Sequence, residues 1–438
     1  MTASGRPSGA VMRLGIVAGG GTLPIEIARS VTARGGTVHV VMIEGEADDV
    51  LRNFPHTILN WAELGHAVRA IKRAGMRDMV MVGRMSRPSF LTAKPDFGFL
   101  FSLPRILRAL RAGGDDAVLR GVVGLFEARK LKVLGVHGVA PELLLSDGAI
   151  GFHHPEPVHQ SDIARGFGVV AALGRFDIGQ AVVVAGGRIE AIEAAEGTDL
   201  MLARVREQRI AAGADPARMR FGVLIKRPKP GQDLRLDLPA IGPETAHGAA
   251  AAGLAGIAGA SGEVLVASRF EMLERADRAQ IFIAGVAAPP ASRPARPEGG
   301  GVEPIVFGGY SIPPERAGDV DTGVRIMSAL EAFAAGSALV IAQGRVLSIG
   351  AREPSGHVLE RARPYIKRKK NNAVLVIGPN EALDEPLIRQ AAASGIAGIV
   401  VMFGPGDGAA HRGPVLDVAD RFRLFIAGAA ADPKAAAF

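Results

Sequence analysis

Short apolar runs alternate with helix-forming segments along the first 140 residues, and this alternation is the feature that most limits the possible folds. The strand-like runs are LGIVA at 14–18, TVHVVMI at 37–43 and DMVMVG at 78–83. Gly19-Gly20-Gly21 ends the first run, and Thr22 and Pro24 then suit the start of a helix. Because strands separated by helices form parallel sheets, an α/β domain with a Rossmann-like parallel sheet is predicted for residues 12–150.

A second α/β domain is predicted for residues 151–286, after the polar, proline-bearing segment 153–162 (HHPEPVHQSD). Its predicted elements are helices at 163–173, 199–207, 244–252 and 269–279 and strands at 181–185, 188–193, 221–226, 256–259 and 281–284. Gly186-Gly187 suits the turn of a hairpin between the first two strands. A linker rich in Pro, Gly and Arg is predicted at 287–304, followed by a third compact region at 305–430.

The third region resembles the second. Residues 179–193 (GQAVVVAGGRIEAIE) and 336–350 (GSALVIAQGRVLSIG) are identical at seven of fifteen positions, and three shorter blocks follow in the same order. The loop at 226–243 corresponds to 378–386 (GPNEALDEP), which is shorter and has no basic residue. A degenerate copy that keeps the apolar strands but loses the charged loops is therefore predicted. The alternative is chance similarity between strands rich in Ala, Gly and Val.

Composition removes several function classes. The chain has no cysteine, which excludes disulfides, zinc–thiolate sites, iron–sulfur clusters and thiol catalysis. Only 5% of its 438 residues are aromatic, too few for the stacking platforms of single-stranded nucleic-acid binding, so no nucleic-acid partner is expected. The chain shows neither an apolar run of about 18 residues nor the apolar core of a signal peptide, so a cytoplasmic location is expected. The net charge of +7 suits a phosphate-bearing substrate or an anionic membrane surface.

The strongest candidate for chemistry is the segment Lys226–Thr245 (KRPKPGQDLRLDLPAIGPET). Long loops in compact domains are usually functional. This one combines four cations with two aspartates: Lys226, Arg227, Lys229 and Arg235 with Asp233 and Asp237. Cations offset phosphate charge, and carboxylates hold a hard ion such as Mg²⁺, so the pattern predicts a phosphate ester bound through a divalent metal. A solvated loop with surface ion pairs is the alternative.

A second acidic group lies at a strand-to-helix junction. Glu196 and Asp199 flank Gly197 and Thr198 in EAAEGTD. Capping of the helix by Thr198 or Asp199 explains this spacing as well as metal binding does. If this junction and the 226–245 loop face one cleft, their carboxylates and cations meet there.

The glycine loop at 19–24 is a third candidate. A glycine loop before a helix can hold phosphate at the helix N-terminus. Pro24 occupies the third glycine position of the dinucleotide fingerprint, and the loop lacks the Gly-Lys-Ser/Thr of a P-loop, so it is equally compatible with a tight turn. Arg84 and Arg87 follow the third strand, at the edge where open α/β sheets bind ligands.

Together these segments resemble a known family. The segments are AGGGTLP at 18–24, GRMSRPSF at 83–90, DIGQAVVV at 177–184, EAAEGTD at 193–199 and KPGQDLRLDLPAIGPET at 229–245. In this order, over about residues 12–286, they resemble the UDP-2,3-diacylglucosamine pyrophosphatases of alphaproteobacteria and relatives.

The resemblance implies a Mg²⁺-dependent, homodimeric hydrolase of lipid A biosynthesis. It would cleave the pyrophosphate of UDP-2,3-diacylglucosamine to UMP and 2,3-diacylglucosamine 1-phosphate by attack of water on the α-phosphorus. The N-terminal domain would read the uridine side, an apolar slot between the domains would take the acyl chains, and the enzyme would touch the inner membrane surface transiently.

The resemblance also assigns roles to residues. The family's essential aspartate matches Asp237, and Asp233 is a second catalytic candidate. The candidate metal ligands are Asp237, Asp199 and Glu196. The candidate substrate-binding residues are Gly20, Gly21, Leu23, Pro24, Arg84, Lys226, Lys229, Arg235 and Thr245.

Two rival functions remain open. One is a non-catalytic regulatory protein that binds a lipid or nucleotide. The other is a nicotinamide-linked oxidoreductase, which the broken glycine fingerprint disfavours. The family's known roles do not cover the third region. It would stabilise a dimer, replace a partner subunit or cover the acyl slot.

Overall fold

The computed structural model describes residues 11–85, 95–96, 115–289, 304–366, 372–403 and 414–430. Arg87 and most of the predicted linker lie outside the described residues. The chain divides into two compact units. The first comprises residues 1–146, 232–243 and 261–272, and the second comprises residues 147–231, 244–260 and 273–438. The first unit therefore includes two segments that lie within the predicted second domain.

The first unit contains a five-stranded sheet with the order β3-β2-β1-β4-β5. Its strands are β1 (Arg13–Ala18), β2 (Thr37–Ile43), β3 (His56–Leu59), β4 (Asp78–Val82) and β5 (Lys132–Val133). All neighbouring strands run parallel. The helices are α1 (Leu23–Ala33), α2 (Leu64–Arg73), α3 (Asp115–Ala128) and the short α4 (Val136–Val139). The α/β prediction with a parallel sheet is thus confirmed.

Apolar residues cover both faces of this sheet. On one face, Ile16 packs in a cluster with Ile27 of α1. On the other face, Met79 packs with Ile71 of α2 and Phe126 of α3. Burial on both faces explains why β1 and β2 read as continuous apolar runs rather than as alternating ones.

The second unit contains two sheets. The first has the order β13-β11-β9-β7-β8, and the second has the order β14-β19-β18-β17-β15-β16. The strands of the first sheet are β7 (Ala181–Ala185), β8 (Arg188–Ile192), β9 (Val223–Lys226), β11 (Gly256–Ala260) and β13 (Phe282–Val286). The short strand β6 (Gly148–Ala149) precedes them in the chain. Those of the second are β14 (Ile305–Phe307), β15 (Ala338–Ala342), β16 (Arg345–Ile349), β17 (Ala373–Ile377), β18 (Ile396–Phe403) and β19 (Phe425–Ala430).

Helices follow the strands of the second unit in sequence. They are α5 (Pro157–Gly174), α6 (Thr198–Ala211), α7 (Pro243–Ala251), α8 (Arg269–Arg278), α9 (Pro314–Glu331), α10 (Ser355–Ala362), α11 (Glu385–Ser394) and α12 (Pro414–Arg421). The division into two units falls within α7, after Pro243, and within α8, after Met272. Three-residue to five-residue 3₁₀ turns lie at Asp49–Asn53, Pro141–Leu143 and Arg363–Tyr365. Among the described residues, no helix combines the length and the apolar character needed to span a bilayer.

Helix α5 begins six residues before the predicted start at 163. Pro157 occupies its first turn, and Glu156 and His159 cap it reciprocally. The polar residues that suggested a boundary loop therefore include the first turns of a helix. Asp162 is buried within it and accepts hydrogen bonds from the backbone N–H groups of 186 and 187 at 3.0 and 2.6 Å.

The segments 232–243 and 261–272 pair with each other through two short strands, and the second segment also binds Leu145 of the first unit through backbone hydrogen bonds. β10 (Ala240–Ile241) pairs in parallel with β12 (Leu265–Val266). Leu265 also forms a bridge with Leu144 and belongs to the same buried cluster as Ile16. The segment 263–266, which contains β12, was among the predicted elements, but β10 was not predicted because a strand of two residues carries no periodic pattern.

Candidate functional site

The glycine loop after β1 is held against the end of β4. The Gly20 N–H donates to the Arg84 carbonyl at 2.7 Å, and the Arg84 N–H donates to the Gly20 carbonyl at 2.8 Å. A Cβ at Gly19 would collide with the carbonyl oxygen of Arg84, and a Cβ at Gly83 would lie 2.7 Å from the carbonyl carbon of Gly19. Only residues without a Cβ allow this close backbone approach.

The loop leads directly into α1. Thr22 stands at the N-cap position, Leu23 begins the helix, and Pro24 is buried in its first turn. The side chain of Arg84 is exposed, and its Nε lies 3.8 Å from the position that a Cβ of Gly21 would take. The fold thus brings Arg84 next to the four predicted substrate-binding residues of the loop, which are Gly20, Gly21, Leu23 and Pro24. They lie at a helix N-terminus, which favours anions.

The segment 232–238 lies at the same edge of the first unit's sheet. Leu236 packs against the cluster around Phe126, and Leu238 packs against the cluster around Ile16, on the opposite face. The Cα of Arg235 lies 3.0 Å from the position that a Cβ of Gly135, two residues after β5, would take. Since all five strands are parallel, their carboxyl ends share one edge.

Three adjacent strands, β1, β4 and β5, therefore each end in a candidate group. The glycine loop follows β1, Arg84 follows β4, and Arg235 lies beside the end of β5. The sheet order reverses between β1 and β4, and open α/β sheets bind ligands in the crevice at such a reversal.

Arg235 is held by two carboxylates. Its Nη2 lies 2.7 Å from Asp233 Oδ2 and its Nε lies 2.9 Å from Asp233 Oδ1, while its Nη1 lies 2.9 Å from Glu127 Oε1. The hydrogen bond from Arg235 lowers the pKa of Asp233, and the same bond raises the pKa of Arg235. Asp233 is thus committed to orienting Arg235, which makes it a poor proton acceptor for water.

Asp237 has a different environment. Its Oδ2 accepts a hydrogen bond of 2.6 Å from Gln232 Nε2, and its backbone N–H lies 3.4 Å from the Asp233 carbonyl. The turn therefore carries Asp233 toward a guanidinium and Asp237 toward an amide. A carboxylate that is oriented by a hydrogen-bond donor can act as a base or as a metal ligand.

The cations of 226–231 belong to the second unit. Lys226 is the buried last residue of β9. Arg227 is 4% exposed, and its guanidinium lies 5.6 Å from the ring centroid of Phe167. Lys229 Nζ lies 2.6 Å from Asp177 Oδ1. Arg227 and Lys229 thus contact other residues of the second unit, and Lys226 is buried at the end of its strand.

The junction before α6 differs from the prediction. Gly197, not Thr198 or Asp199, stands at the N-cap position. The Thr198 hydroxyl donates to Glu193 Oε1 at 2.6 Å, and Glu193 also accepts from the Gln180 N–H at 2.7 Å. Asp199 is exposed in the first turn of α6, where a negative charge is favourable.

Glu196 is engaged in a buried ion pair. Its Oε1 lies 3.0 Å from Arg204 Nη2, and both side chains are 8% exposed. Arg204 also contacts Glu353 Oε1 at 3.1 Å. This environment does not fit a metal ligand, because a cation at Glu196 would have to displace a buried guanidinium. The structure therefore argues against the predicted metal role of Glu196.

Thr245 lies in the first turns of α7 and is buried at 8% exposure. In the described part of the chain, no group of three or more His, Cys, Asp or Glu side chains is arranged to hold a metal ion. Mg²⁺ usually keeps several waters and is held by one or two carboxylates together with substrate phosphates. The carboxylate of Asp237 fits that kind of incomplete protein site.

Sequence reasoning missed the residues that support the candidates. Gln232, Glu127 and Asp177 orient Asp237, Arg235 and Lys229 respectively. Ser268 donates from its N–H to Glu26 Oε1 at 2.8 Å and from its hydroxyl to Thr22 at 3.1 Å, beside the glycine loop. Of the four supporting residues, Gln232 and Asp177 lay inside segments that the sequence singled out, whereas Glu127 and Ser268 did not.

Comparison with known proteins identifies two matched regions. The family models "LpxI N-terminal domain" and "LpxI C-terminal domain" match residues 13–143 and 146–284. The UDP-2,3-diacylglucosamine pyrophosphatase LpxI of Caulobacter vibrioides is 41% identical over 282 residues, which are 64% of this chain and 99% of that protein. Residues 305–430 lie beyond both matched ranges.

A solved structure, the Bacillus cereus protein related to NIF3, covers 54% of this chain and 88% of that chain at 12% identity. Its TM-score is 0.11, and it carries no argument about this chain.

Proposed function

The chain belongs to the LpxI family, and we propose from this that it hydrolyses the pyrophosphate bond of UDP-2,3-diacylglucosamine, as the name of its Caulobacter relative states for that protein. The products would be UMP and 2,3-diacylglucosamine 1-phosphate, an intermediate of lipid A biosynthesis. The observation that carries this proposal within the fold is the row of candidate groups at the ends of β1, β4 and β5.

The diphosphate would lie at the carboxyl edge of the first unit's sheet. The N-terminus of α1 favours an anion there. Arg84 is exposed beside the glycine loop, and the guanidinium of Arg235 is pre-oriented by two carboxylates. Guanidinium groups bind phosphate through paired hydrogen bonds, which also stabilise the charge that develops in the transition state. Lys226, Lys229 and Thr245 stay predicted substrate ligands of the second unit.

Asp237 would act on the attacking water. In the reaction, water oxygen forms a bond to the α-phosphorus, the bond from that phosphorus to the bridging oxygen breaks, and the water loses a proton. A carboxylate held by a neutral amide donor can accept that proton or hold a metal. Asp233 would act as a positioning residue, because its carboxylate is bound to Arg235.

We propose Mg²⁺ as the cofactor, with Asp237 as a protein ligand in the first unit. Asp199, in the second unit, stays a predicted metal ligand. When bound, the ion would neutralise phosphate charge and polarise the phosphoryl oxygens. Glu196 is left out of this proposal because of its buried pair with Arg204.

Two further proposals concern the surroundings of the enzyme. The substrate carries two acyl chains, and the chain has a net charge of +7, which together support transient contact with an anionic membrane surface. Sedimentation with vesicles that contain an anionic phospholipid tests that contact. The homodimer implied by the resemblance also stays a prediction, and the domain pairing described below offers an alternative to it within one chain.

The test is release of UMP from UDP-2,3-diacylglucosamine by the purified full-length chain. Turnover by the wild type, and its loss in Asp237→Asn with an unchanged circular dichroism spectrum, would support the proposal. The matched control is Asp49→Asn, because Asp49 is an aspartate of the first unit with 82% exposure and Arg52 as its ion-pair partner. Saturable binding of the substrate without any turnover would instead favour a non-catalytic, lipid- or nucleotide-binding regulator.

A further inference from the structure

The two sheets of the second unit share one strand order. The order β13-β11-β9-β7-β8 recurs as β19-β18-β17-β15-β16, with β14 added at the outer edge. In both five-strand orders, the first hairpin and the next pair are antiparallel and the other two pairs are parallel. The added strand β14 pairs with β19 in the antiparallel direction. The hairpin register shifts between Val183 and Val184 in one sheet and between Val340 and Ile341 in the other, at positions 157 residues apart.

The likeness extends to individual side chains. Helices α5 and α9 are each 18 residues long and begin 157 positions apart. Asp162 in α5 accepts hydrogen bonds from the N–H groups of 186 and 187, and Asp319 in α9 accepts them from 343 and 344. A shared topology alone would not reproduce a buried carboxylate on the same turn.

A pair of arginines shows the same equivalence. Arg204 donates to the Ile192 carbonyl and to Glu196, at 3.2 and 3.0 Å. Its counterpart Arg361 donates to the Ile349 carbonyl and to Glu353, at 3.0 and 2.6 Å.

These two clusters meet each other. Arg204 Nη1 also donates to Glu353 Oε1 at 3.1 Å, so the carboxylate of Glu353 lies between two guanidiniums. The side chains of Arg204, Glu196 and Glu353 are at most 8% exposed. Burial and the nearby Arg204 lower the pKa of Arg361. Two arginines and two glutamates thus form a largely buried cluster with balanced charge, in which Arg361, at 21%, is the most exposed side chain.

A second contact joins the equivalent helices. Helix α5 packs against α9. Arg165 Nη2 donates to the Phe333 carbonyl at 2.6 Å, and the Arg165 guanidinium lies 5.9 Å from the ring centroid of Phe333. The Arg204–Glu353 contact and the Arg165–Phe333 contact therefore each join one domain to the equivalent region of the other. A face that meets its own equivalent is the mark of an isologous, two-fold type of contact.

We propose that residues 305–430 are a second copy of the domain at 147–286 and serve as its built-in partner, occupying the α5 and Arg204 face of that domain. The partner of this face is thus the chain's own second copy rather than another chain. Because the cluster of four charges is already filled and buried, a second chain has no access to the same face.

In the second copy, the shortened loop forms hydrogen bonds within its own domain. Glu381, in the loop after β17, accepts hydrogen bonds from the Ser355 N–H at 2.9 Å and the Ser355 hydroxyl at 2.6 Å. In the first copy, the equivalent strand β9 leads instead into the segment with Lys229, Arg235 and Asp237. The copy therefore serves as a packing partner and carries no second set of these charges.

The test uses the full-length chain with a specific protease site inserted at Gly299–Gly301 in the linker. In size-exclusion chromatography with mass detection, we expect the intact protein to have the 45.5 kDa mass of a single chain. After cleavage, the two halves should co-elute at that same mass. In Glu353→Lys, and separately in Arg165→Ala, the cleaved halves should separate, with a dissociation constant raised at least tenfold.

The matched controls are Glu360→Lys, which changes an exposed glutamate of α10, and Gln160→Ala, which changes an exposed residue of α5. Both should co-elute like the wild type. Separation of the cleaved wild-type halves would overturn the proposal. It would also be overturned if the intact wild type had the mass of two chains and the intact Glu353→Lys variant had the mass of one, because the cluster would then join two chains. If Glu353→Lys does not fold, Arg165→Ala decides the question, and co-elution of its cleaved halves would contradict the proposal.

Discussion

Gly20 and Arg84 bind each other through their backbones in both directions, at 2.7 and 2.8 Å, although they are 64 positions apart in the chain. This exchange fastens the glycine loop after β1 to the end of β4. It also places the exposed Arg84 side chain beside the N-terminus of α1, where an anion is favoured.

Gly19→Ala should disrupt this junction. The added methyl group would meet the backbone carbonyl of Arg84, which cannot rotate away as a side chain could. We expect a loss of about 1–3 kcal/mol in the free energy of unfolding and a higher KM, measured by urea denaturation and by UMP release. Gly124→Ala is the control, since its methyl group would enter open space within α3 and should stabilise that helix slightly.

Asp237→Asn and Asp233→Asn should differ in severity. Loss of a general base lowers rates by about 10²–10⁴-fold, so Asp237→Asn should reduce kcat by at least about 100-fold. Asp233→Asn leaves Arg235 in place but weakly held, and a reduction of about tenfold is expected from one charged hydrogen bond. Equal losses of kcat in the two variants would contradict the separate roles.

The stabilising effect of Asp233 should disappear in acid. The hydrogen bond from Arg235 lowers the pKa of Asp233 in the folded state, so the carboxylate stabilises the fold at pH values above its unfolded pKa of about 3.9. That contribution is lost as the pH falls through the lower, folded pKa. Urea midpoints of the wild type and Asp233→Asn should therefore differ at pH 7 and converge well below pH 4. A constant difference down to the lowest pH would contradict this origin.

Arg204→Met should destabilise the second unit strongly. It leaves the buried carboxylates of Glu196 and Glu353 without a shared cation, and breaking a buried pair on one side costs about 3–5 kcal/mol. Arg206→Met, two residues along the same helix at an exposed position, should change the free energy of unfolding by less than about 0.5 kcal/mol. Urea denaturation of the full chain compares the two variants.

Removal of divalent metal should abolish UMP release. Treatment with EDTA followed by Mg²⁺ titration should restore turnover, because the proposed ion neutralises the diphosphate. Asp237→Glu, which keeps the carboxylate but shifts it, should need more Mg²⁺ for half-maximal rate. Glu196→Gln should leave the Mg²⁺ requirement unchanged, since Glu196 is paired with Arg204. Full activity in the presence of EDTA would exclude the proposed cofactor.

Local patterns in the sequence were sufficient for the parallel sheet, the glycine loop and the charged segment. Apolar runs of strand length, a glycine turn and a proline-rich cationic stretch depend on neighbours a few residues away, so they can be read directly from the chain. The order of the family's motifs added the candidate role of Asp237. The two-residue strand β10 was missed because it has no periodicity of its own.

The tertiary structure alone decided which side chains share an environment. It joined residues 232–243 to the first unit, more than 80 positions after that unit's main segment ends at Ser146. It also placed Glu196 in a buried cluster with Arg204 and Glu353, and so argued against a ligand role that its spacing had allowed. The physical reason is that a carboxylate's role depends on its burial and on the charges around it, and both come from packing between segments far apart in the chain.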